Sequence, residues 1–415
     1  MKRLALVAVA LACAGCGGAP SSPSAPKGGG GGLSGATDKG LRLYLDGRFD
    51  EAEAPLRAAA AADAKDWIAR RVLGRILLLK NRLPDARTAL TEAVDRSADR
   101  TSRNPHEREP DPIALQDLAW TYYRMDDYDK ASRCFLALSE TALAKKYGEM
   151  AKRVPYTMSW NGTSATMRFF ERAPVPVVQM RVNGAAGLFA IDTSMGELIL
   201  NKGFARTAGA KTIGTAASTA AGIVEEAYVD AIDVTGLQVR NVPVAIHKLQ
   251  AVGPRELDGI IGSGFLSHFN VTINYGGGHV TLRKRGTGER ARGGQELPLY
   301  LAADRYFLVP GAIDDKPALL FVHTGATGRA FVPSPTGVNA QPEMKTARVG
   351  PIASDAPRGR LDPKDPQSPV GLLADAFPRG VDTTFGFVVA GMLGPDAFAG
   401  RSVTFDLDRM VLVIE

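Results

Sequence analysis

The sequence predicts a multidomain chain: an all-α repeat module followed by a mainly-β, two-lobed domain. Three observations carry this. A short pattern beginning at Gly47, Asn81 and Asp126 recurs at spacings built on 34 residues. After Val154 the apolar period changes from helical to alternating, with β-branched runs. Within that second part, landmarks recur at offsets of 131–132 residues: Asp192 and His323, Gly262 and Gly394, Val271 and Val403.

The 415 residues suggest two or three domains at about 150 residues each. With 45% hydrophobic and 23% charged residues the bulk of the chain can pack, which excludes wholesale disorder. Residues 4–15 form the one apolar run near the N-terminus and are too short to span a bilayer, so a multi-span membrane protein is excluded. The net charge of +6 is spread along the chain, and no nucleic-acid partner is expected. Of the three cysteines, Cys13 and Cys16 lie in the leader and Cys134 stands alone. A disulfide framework and a multi-cysteine zinc site are therefore excluded. His247, His268 and His279 lack metal-ligand spacing, and neither metal nor cofactor is expected.

Met1-Lys2-Arg3, the apolar stretch Leu4 to Ala12 and the small residues Ala14-Gly15 before Cys16 form an export signal over 1–15. Small residues directly before a cysteine resemble the lipobox of bacterial lipoproteins, although Cys13 stands where that family usually has Leu. The resemblance implies a diacylated Cys16 as the first mature residue. It implies a bacterial envelope protein on a lipid anchor, with Gly17 after the cysteine favouring the outer membrane. Residues 16–36 are then a lipidated tether. Their Gly- and Ser-rich composition makes flexible coil, reaching roughly 25 Å root-mean-square.

Over 37–152 three segments align. Ala52, Ala86 and Ala131 occupy one position, followed by Leu56, Leu90 and Phe135. The first interval is 34 residues and the second is eleven longer, the surplus falling in the polar stretch 97–111. Gly74 and Ala119 precede the second and third alanines by twelve residues, where a small side chain lets helices cross closely. The pattern resembles the tetratricopeptide repeat, two helices per 34 residues, whose units must stack to bury their faces. The resemblance implies a concave surface for a protein partner.

Lobe one is expected at 172–285 and lobe two at 294–415. Gly187 to Ile191 is an apolar strand running into Asp192-Thr193-Ser194, and Ile260-Ile261-Gly262 follows some seventy residues on. Ala318 to Val322 runs into His323-Thr324-Gly325, and Met392-Leu393-Gly394 follows at the matching distance. Each copy ends in a hairpin, from Val271 and from Val403. Gly276-Gly277-Gly278 sits in the first of these turns and is no phosphate loop. No Gly-x-Ser-x-Gly elbow is present.

These motifs resemble the aspartic peptidases, and the lobe size with Asn270-Val271-Thr272-Ile273-Asn274-Tyr275 resembles the bacterial retropepsin-like proteins. The resemblance implies Asp192 as one catalytic residue, with Thr193 and Ser194 as its loop and Thr324 and Gly325 as the opposed loop. The threonine hydroxyls bond across the lobes in that family. His323 stands where the second Asp belongs, and Met195 where Ala or Gly is common. An ordinary dyad shares one proton between two carboxyls. An Asp–His pair tends instead towards carboxylate and imidazolium, a base and an electrophile for one water.

Two functions fit. One is an envelope-anchored aspartic endopeptidase taking a peptide or protein substrate in the inter-lobe cleft. The other is a catalytically inactive peptidase-fold binding or scaffold lipoprotein. Asp192 pairing with Asp192 of a second copy is a third arrangement, which the fused second lobe should block. The simplest alternative is that Asp192 only caps a turn. Residues 211–232 fit a flap over the cleft. Residues 353–382 occupy what reads as the equivalent place in lobe two, as an irregular insertion.

Overall fold

The computed structural model describes residues 33–98, 108–171, 175–215, 224–249, 256–290, 293–302, 306–326, 328–333, 343–359 and 386–415. The signal, Cys16 and tether residues 16–32 lie outside these residues, and the end of the expected tether is helical instead of coil, Ser34 capping a helix that begins at Gly35. Among the described residues no helix is long and apolar enough to cross a membrane.

Seven helices come first: α1 (Gly35–Leu45), α2 (Phe49–Ala62), α3 (Trp67–Leu79), α4 (Leu83–Ser97), α5 (Pro112–Arg124), α6 (Tyr128–Ala137) and α7 (Thr141–Met150). They stack as three antiparallel pairs, with α7 packed on α6. The turn inside each pair needs one left-handed residue. Gly47, Asn81 and Asp126 supply it, with φ of 73°, 55° and 57°, the residue types that tolerate that region. Asp66 and Asp111 cap α3 and α5, each accepting a backbone N–H at 2.8 Å. At the helix crossings a Cβ on Gly74 would lie 2.5 Å from Leu90 Cγ. Gly40 stands in the same relation to Leu56, also at 2.5 Å, and completes the set that the sequence reading found only in the second and third pairs.

Strands begin at Thr157, ahead of the boundary expected at 172: β1 (Thr157–Trp160) and β2 (Ser164–Glu171) join the large sheet through β8 and β11. Lobe one continues with β3 (Val177–Val182), β4 (Ala185–Ile191), β5 (Leu198–Asn201), the short helix α8 (Lys202–Thr207), β6 (Lys211–Thr215), β7 (Glu225–Val234), β8 (Leu237–His247) and β9 (Gly259–Ile261). A one-turn helix α9 (Ser263–Leu266) leads to β10 (Phe269–Asn274) and β11 (His279–Lys284). Lobe two contains β12 (Gln295–Pro298), β13 (Tyr300–Ala302), β14 (Tyr306–Ile313), β15 (Lys316–Val322), β16 (Ala330–Pro333), β17 (Glu343–Val349), β18 (Ile352–Gly359) and β19 (Gly391–Leu393). A 3₁₀ turn (Pro395–Phe398) precedes β20 (Ser402–Asp406) and β21 (Val411–Ile414).

The two lobes are wired alike. β4 runs parallel to β9 with Ile191 opposite Ile261, and β15 runs parallel to β19 with Val322 opposite Leu393. β9 then pairs antiparallel with β5, as β19 does with β16. β5 lies parallel to β8, as β16 does to β18. Between the lobes β10 pairs with β20, and Thr272 lies opposite its own counterpart Thr404. Their hydroxyls bond at 2.7 Å. A residue facing its own duplicate marks the place where an approximate twofold axis crosses the sheet.

The wiring corrects the reading of 353–382. Residues 352–359 are a regular strand, β18, the counterpart of β8. The turn at Gly350-Pro351 folds it onto β17 with Val349 opposite Ile352. Backbone pairing carries a strand whose Pro, Asp and Arg content reads as irregular. β17, paired with β18 and β14 as β7 is with β8 and β3, is therefore the counterpart of β7, and residues 334–342 and 360–382 lie outside the described residues. In lobe one β6 pairs antiparallel with β7 within 211–232, and residues 216–223 also lie outside the described residues.

The repeat turns dock on the β region. The Phe49 ring centroid is 4.9 Å from that of Tyr300 and 5.0 Å from that of Phe387, and Tyr44 lies 5.6 Å from Phe387. Arg124 donates to the Leu301 carbonyl at 3.1 Å, and Tyr300 Oη donates to Asp50 at 3.0 Å. One apolar core runs from the helices through both lobes.

Candidate active site

Two apolar strands, β4 and β15, deliver two loops to the twofold axis. Each loop is caught at its first residue by the parallel neighbour. Asp192 N donates to the Ile261 carbonyl at 3.0 Å, and His323 N donates to the Leu393 carbonyl at 2.8 Å. The threonines then lock the loops reciprocally. Thr193 N donates to Thr324 Oγ1 at 3.1 Å and Thr324 N to Thr193 Oγ1 at 3.0 Å. Thr193 Oγ1 donates to the Val322 carbonyl at 2.6 Å, and Thr324 Oγ1 to the Ile191 carbonyl at 2.9 Å. Buried polar groups require such partners, and here every bond has its mirror image.

The lock brings Asp192 Oδ1 within 3.0 Å of His323 Nε2, with the residues 2% and 3% exposed. The approach lies off the ring N–H axis, and neither ring nitrogen has an aligned hydrogen-bond partner among the described residues. The Phe321 ring stacks on the imidazole at 5.2 Å. Asp192 also caps its own turn: Ser194 N and Oγ both donate to Oδ1, at 2.8 and 2.7 Å. The capping role and the pairing role thus coexist on one oxygen, and the described residues give Oδ2 no hydrogen bond. Burial alone would raise the Asp192 pKa. The His323 charge and the Ser194 bonds outweigh it and hold the carboxyl below its ordinary value.

Gly325 is required for space and not for the turn. A Cβ there would lie 2.1 Å from Asp192 Cγ, and its φ lies outside the left-handed region. Met195 joins Val224, which precedes β7 at the closing end of the hairpin, in a second apolar cluster beside the site with Ala190, Ile199, Leu257 and Ile260. His268 stacks on Tyr156 and contacts Asp126 at 3.3 Å. His247 Nδ1 lies 2.9 Å from the Lys248 carbonyl. Among the described residues no group of three or more His, Cys, Asp or Glu is placed to hold a metal. The sequence reading missed Lys146, whose buried ammonium bonds Glu197 on the loop after Asp192 and Glu226 on β7. The second of two adjacent lysines, Lys145 and Lys146, carries no pattern to flag it.

Comparison with known proteins places these features among relatives. The family model for the tetratricopeptide repeat matches residues 37–101. Among curated protein sequences none matches the chain. Similar solved structures include a retropepsin-like aspartic protease from Rickettsia conorii, at 13% identity and a TM-score of 0.24 over 31% of this chain and 95% of that one. Basic 7S globulin from soybean is similar at 11% identity and a TM-score of 0.34, over 63% of this chain and 96% of that one.

Proposed function

We propose that the β region hydrolyses peptide bonds as a single-chain aspartic peptidase of the retropepsin-like kind, with Asp192 as base and His323 as its electrophilic partner. The observation that carries this is the 3.0 Å Asp192–His323 pair held on reciprocally locked threonine loops at a twofold axis. In this reading a water on Asp192 Oδ2 loses a proton to the carboxylate as its oxygen bonds to the substrate carbonyl carbon. The protonated His323 ring stabilises the charge developing on the carbonyl oxygen. The carbon–nitrogen bond then breaks, and the proton held on Asp192 passes to the leaving amine. The hairpin β6–β7 closes over the substrate. The reading includes acylation at Cys16, and a mature chain recovered soluble and starting elsewhere would remove that part.

One observation favours the inactive scaffold instead. Asp192 and His323 touch directly and are buried, so water has no place between them. A cleavage assay on unfolded polypeptide from acid to neutral pH separates the two. The peptidase reading expects turnover that extends to neutral pH and falls at the acid end as Asp192, held below the ordinary carboxyl range, takes up a proton. Asp192→Asn abolishes it, and His323→Asp moves the optimum towards acid. Absence of turnover at every pH, or activity surviving in Asp192→Asn, rejects it.

A further inference from the structure

We propose that Lys146 is a positioning residue for the Asp192–His323 site, fixing the loop after Asp192 and the β6–β7 hairpin to the last helix of the repeat module. The catalytic consequence rests on the peptidase reading above; the tie itself does not.

Lys146 lies on α7 and is 2% exposed. Its ammonium bonds one oxygen of Glu197 and one of Glu226. Removing an ammonium from water is costly, and a buried lysine stays charged where carboxylates face it. Burial works to lower the Lys146 pKa, and the two glutamates overcome this and hold it above its ordinary value. The adjacent Tyr147 reaches the other Glu197 oxygen at 3.4 Å.

The placement of the two acids gives the contact its consequence. Glu197 ends a loop that begins at the catalytic turn, where Met195 N donates to the Asp192 carbonyl at 3.1 Å. That loop is also held from the start of α9, Ser263 N and Gly264 N donating to the carbonyls of Met195 and Gly196 at 2.7 and 2.5 Å and Ser263 Oγ to the Thr193 carbonyl at 2.9 Å. A Cβ on Gly264 would lie 2.0 Å from the Gly196 oxygen, so that contact has no slack. Lys146 holds the end of that loop through the Glu197 side chain. Glu226 is the second residue of β7, opposite Ala245, which shares the apolar cluster of Met195 and Val224. One ammonium therefore sets the distance between the loop carrying the site and the closing end of the hairpin, where Glu226 pairs with Gly214. The matched pairs Ile199–Ile260 and Phe331–Met392 put Arg329 of lobe two at the position of Glu197, so the tie is an addition to the lobe that meets α7.

The test uses the full mature chain. Lys146→Met alone strands two carboxylates. The triple variant Lys146→Met/Glu197→Gln/Glu226→Gln removes all three charges together and leaves no buried ion unpaired, so it decides the question even where the single variant fails to fold. Hydrogen exchange is read over 193–200 and 211–232, with α1–α4 and β20–β21 as internal controls. The expected result is a triple variant that unfolds at the wild-type midpoint and exchanges roughly tenfold faster in those two segments alone. Wild-type exchange in both segments, or an increase spread evenly over the chain, overturns the proposal. In a chain that cleaves peptide, KM rises several-fold in the triple variant while the pH profile stays in place, a split that general destabilisation does not produce. A wild type without turnover rejects the peptidase reading alone, and exchange still decides the tie.

Discussion

Asp192 and His323 are two buried groups whose charges stand in for one another's solvation. Replacing His323 by Leu leaves Asp192 buried with only the Ser194 bonds, and breaking such a pair costs about 3–5 kcal/mol. The pH dependence has a definite sign. In the wild type the folded pKa of Asp192 lies below its unfolded value. Its contribution to stability is present above the unfolded pKa and is lost as pH falls through the folded one. In His323→Leu, burial without the compensating charge raises the folded pKa, so the cost is present at neutral pH and is relieved as acid protonates the carboxyl. Urea unfolding of both proteins at neutral and mildly acidic pH should show a gap that narrows towards acid. A gap independent of pH would mean that Asp192 and His323 are not coupled. The pair was legible in the sequence because two copies of one motif placed Asp192 and His323 at matching positions. The reason for Gly325 was not legible. A glycine after Thr reads as a turn residue, whereas the constraint is the carboxylate of Asp192 in the other lobe.

The helices show what regular spacing can and cannot reveal. Gly74 and Ala119 stand out because each follows a leucine at a fixed distance from a buried alanine. Gly40 has Lys39 before it and was passed over, although it meets Leu56 as Gly74 meets Leu90. Gly74→Ala gains up to about 1 kcal/mol of helix propensity but overpacks a crossing, at about 1–3 kcal/mol. A net loss of up to about 2 kcal/mol in a denaturant titration is expected. Stabilisation by Gly74→Ala would mean that Leu90 moves aside freely. Among the strands, β18 escaped the sequence reading because its identity comes from β17 beside it and not from its own alternation.

The largest features are the least visible in the sequence. Phe49, Tyr300 and Phe387 come from three distant stretches, and each alone reads as an ordinary core residue. Together they join the repeats to the β region in one apolar core. Repeats and lobes are therefore expected to unfold in one transition. Phe49→Ala, costing about 3–5 kcal/mol at a fully buried site, should split a calorimetric trace into two. Two transitions in the wild type would contradict the shared core. The duplication itself was legible, since three landmarks share one offset, but the axis through Thr272 and Thr404 needed coordinates. That axis has a consequence for what chemistry the molecule can hold. Two identical chains meeting at a twofold axis must present the same residue from both sides, so a homodimer can offer two aspartates or two histidines but never one of each. Joining the halves in one polypeptide lifts that restriction. The unlike pair at positions 192 and 323 is something a fused, separately diverging duplicate can build and a homodimer cannot.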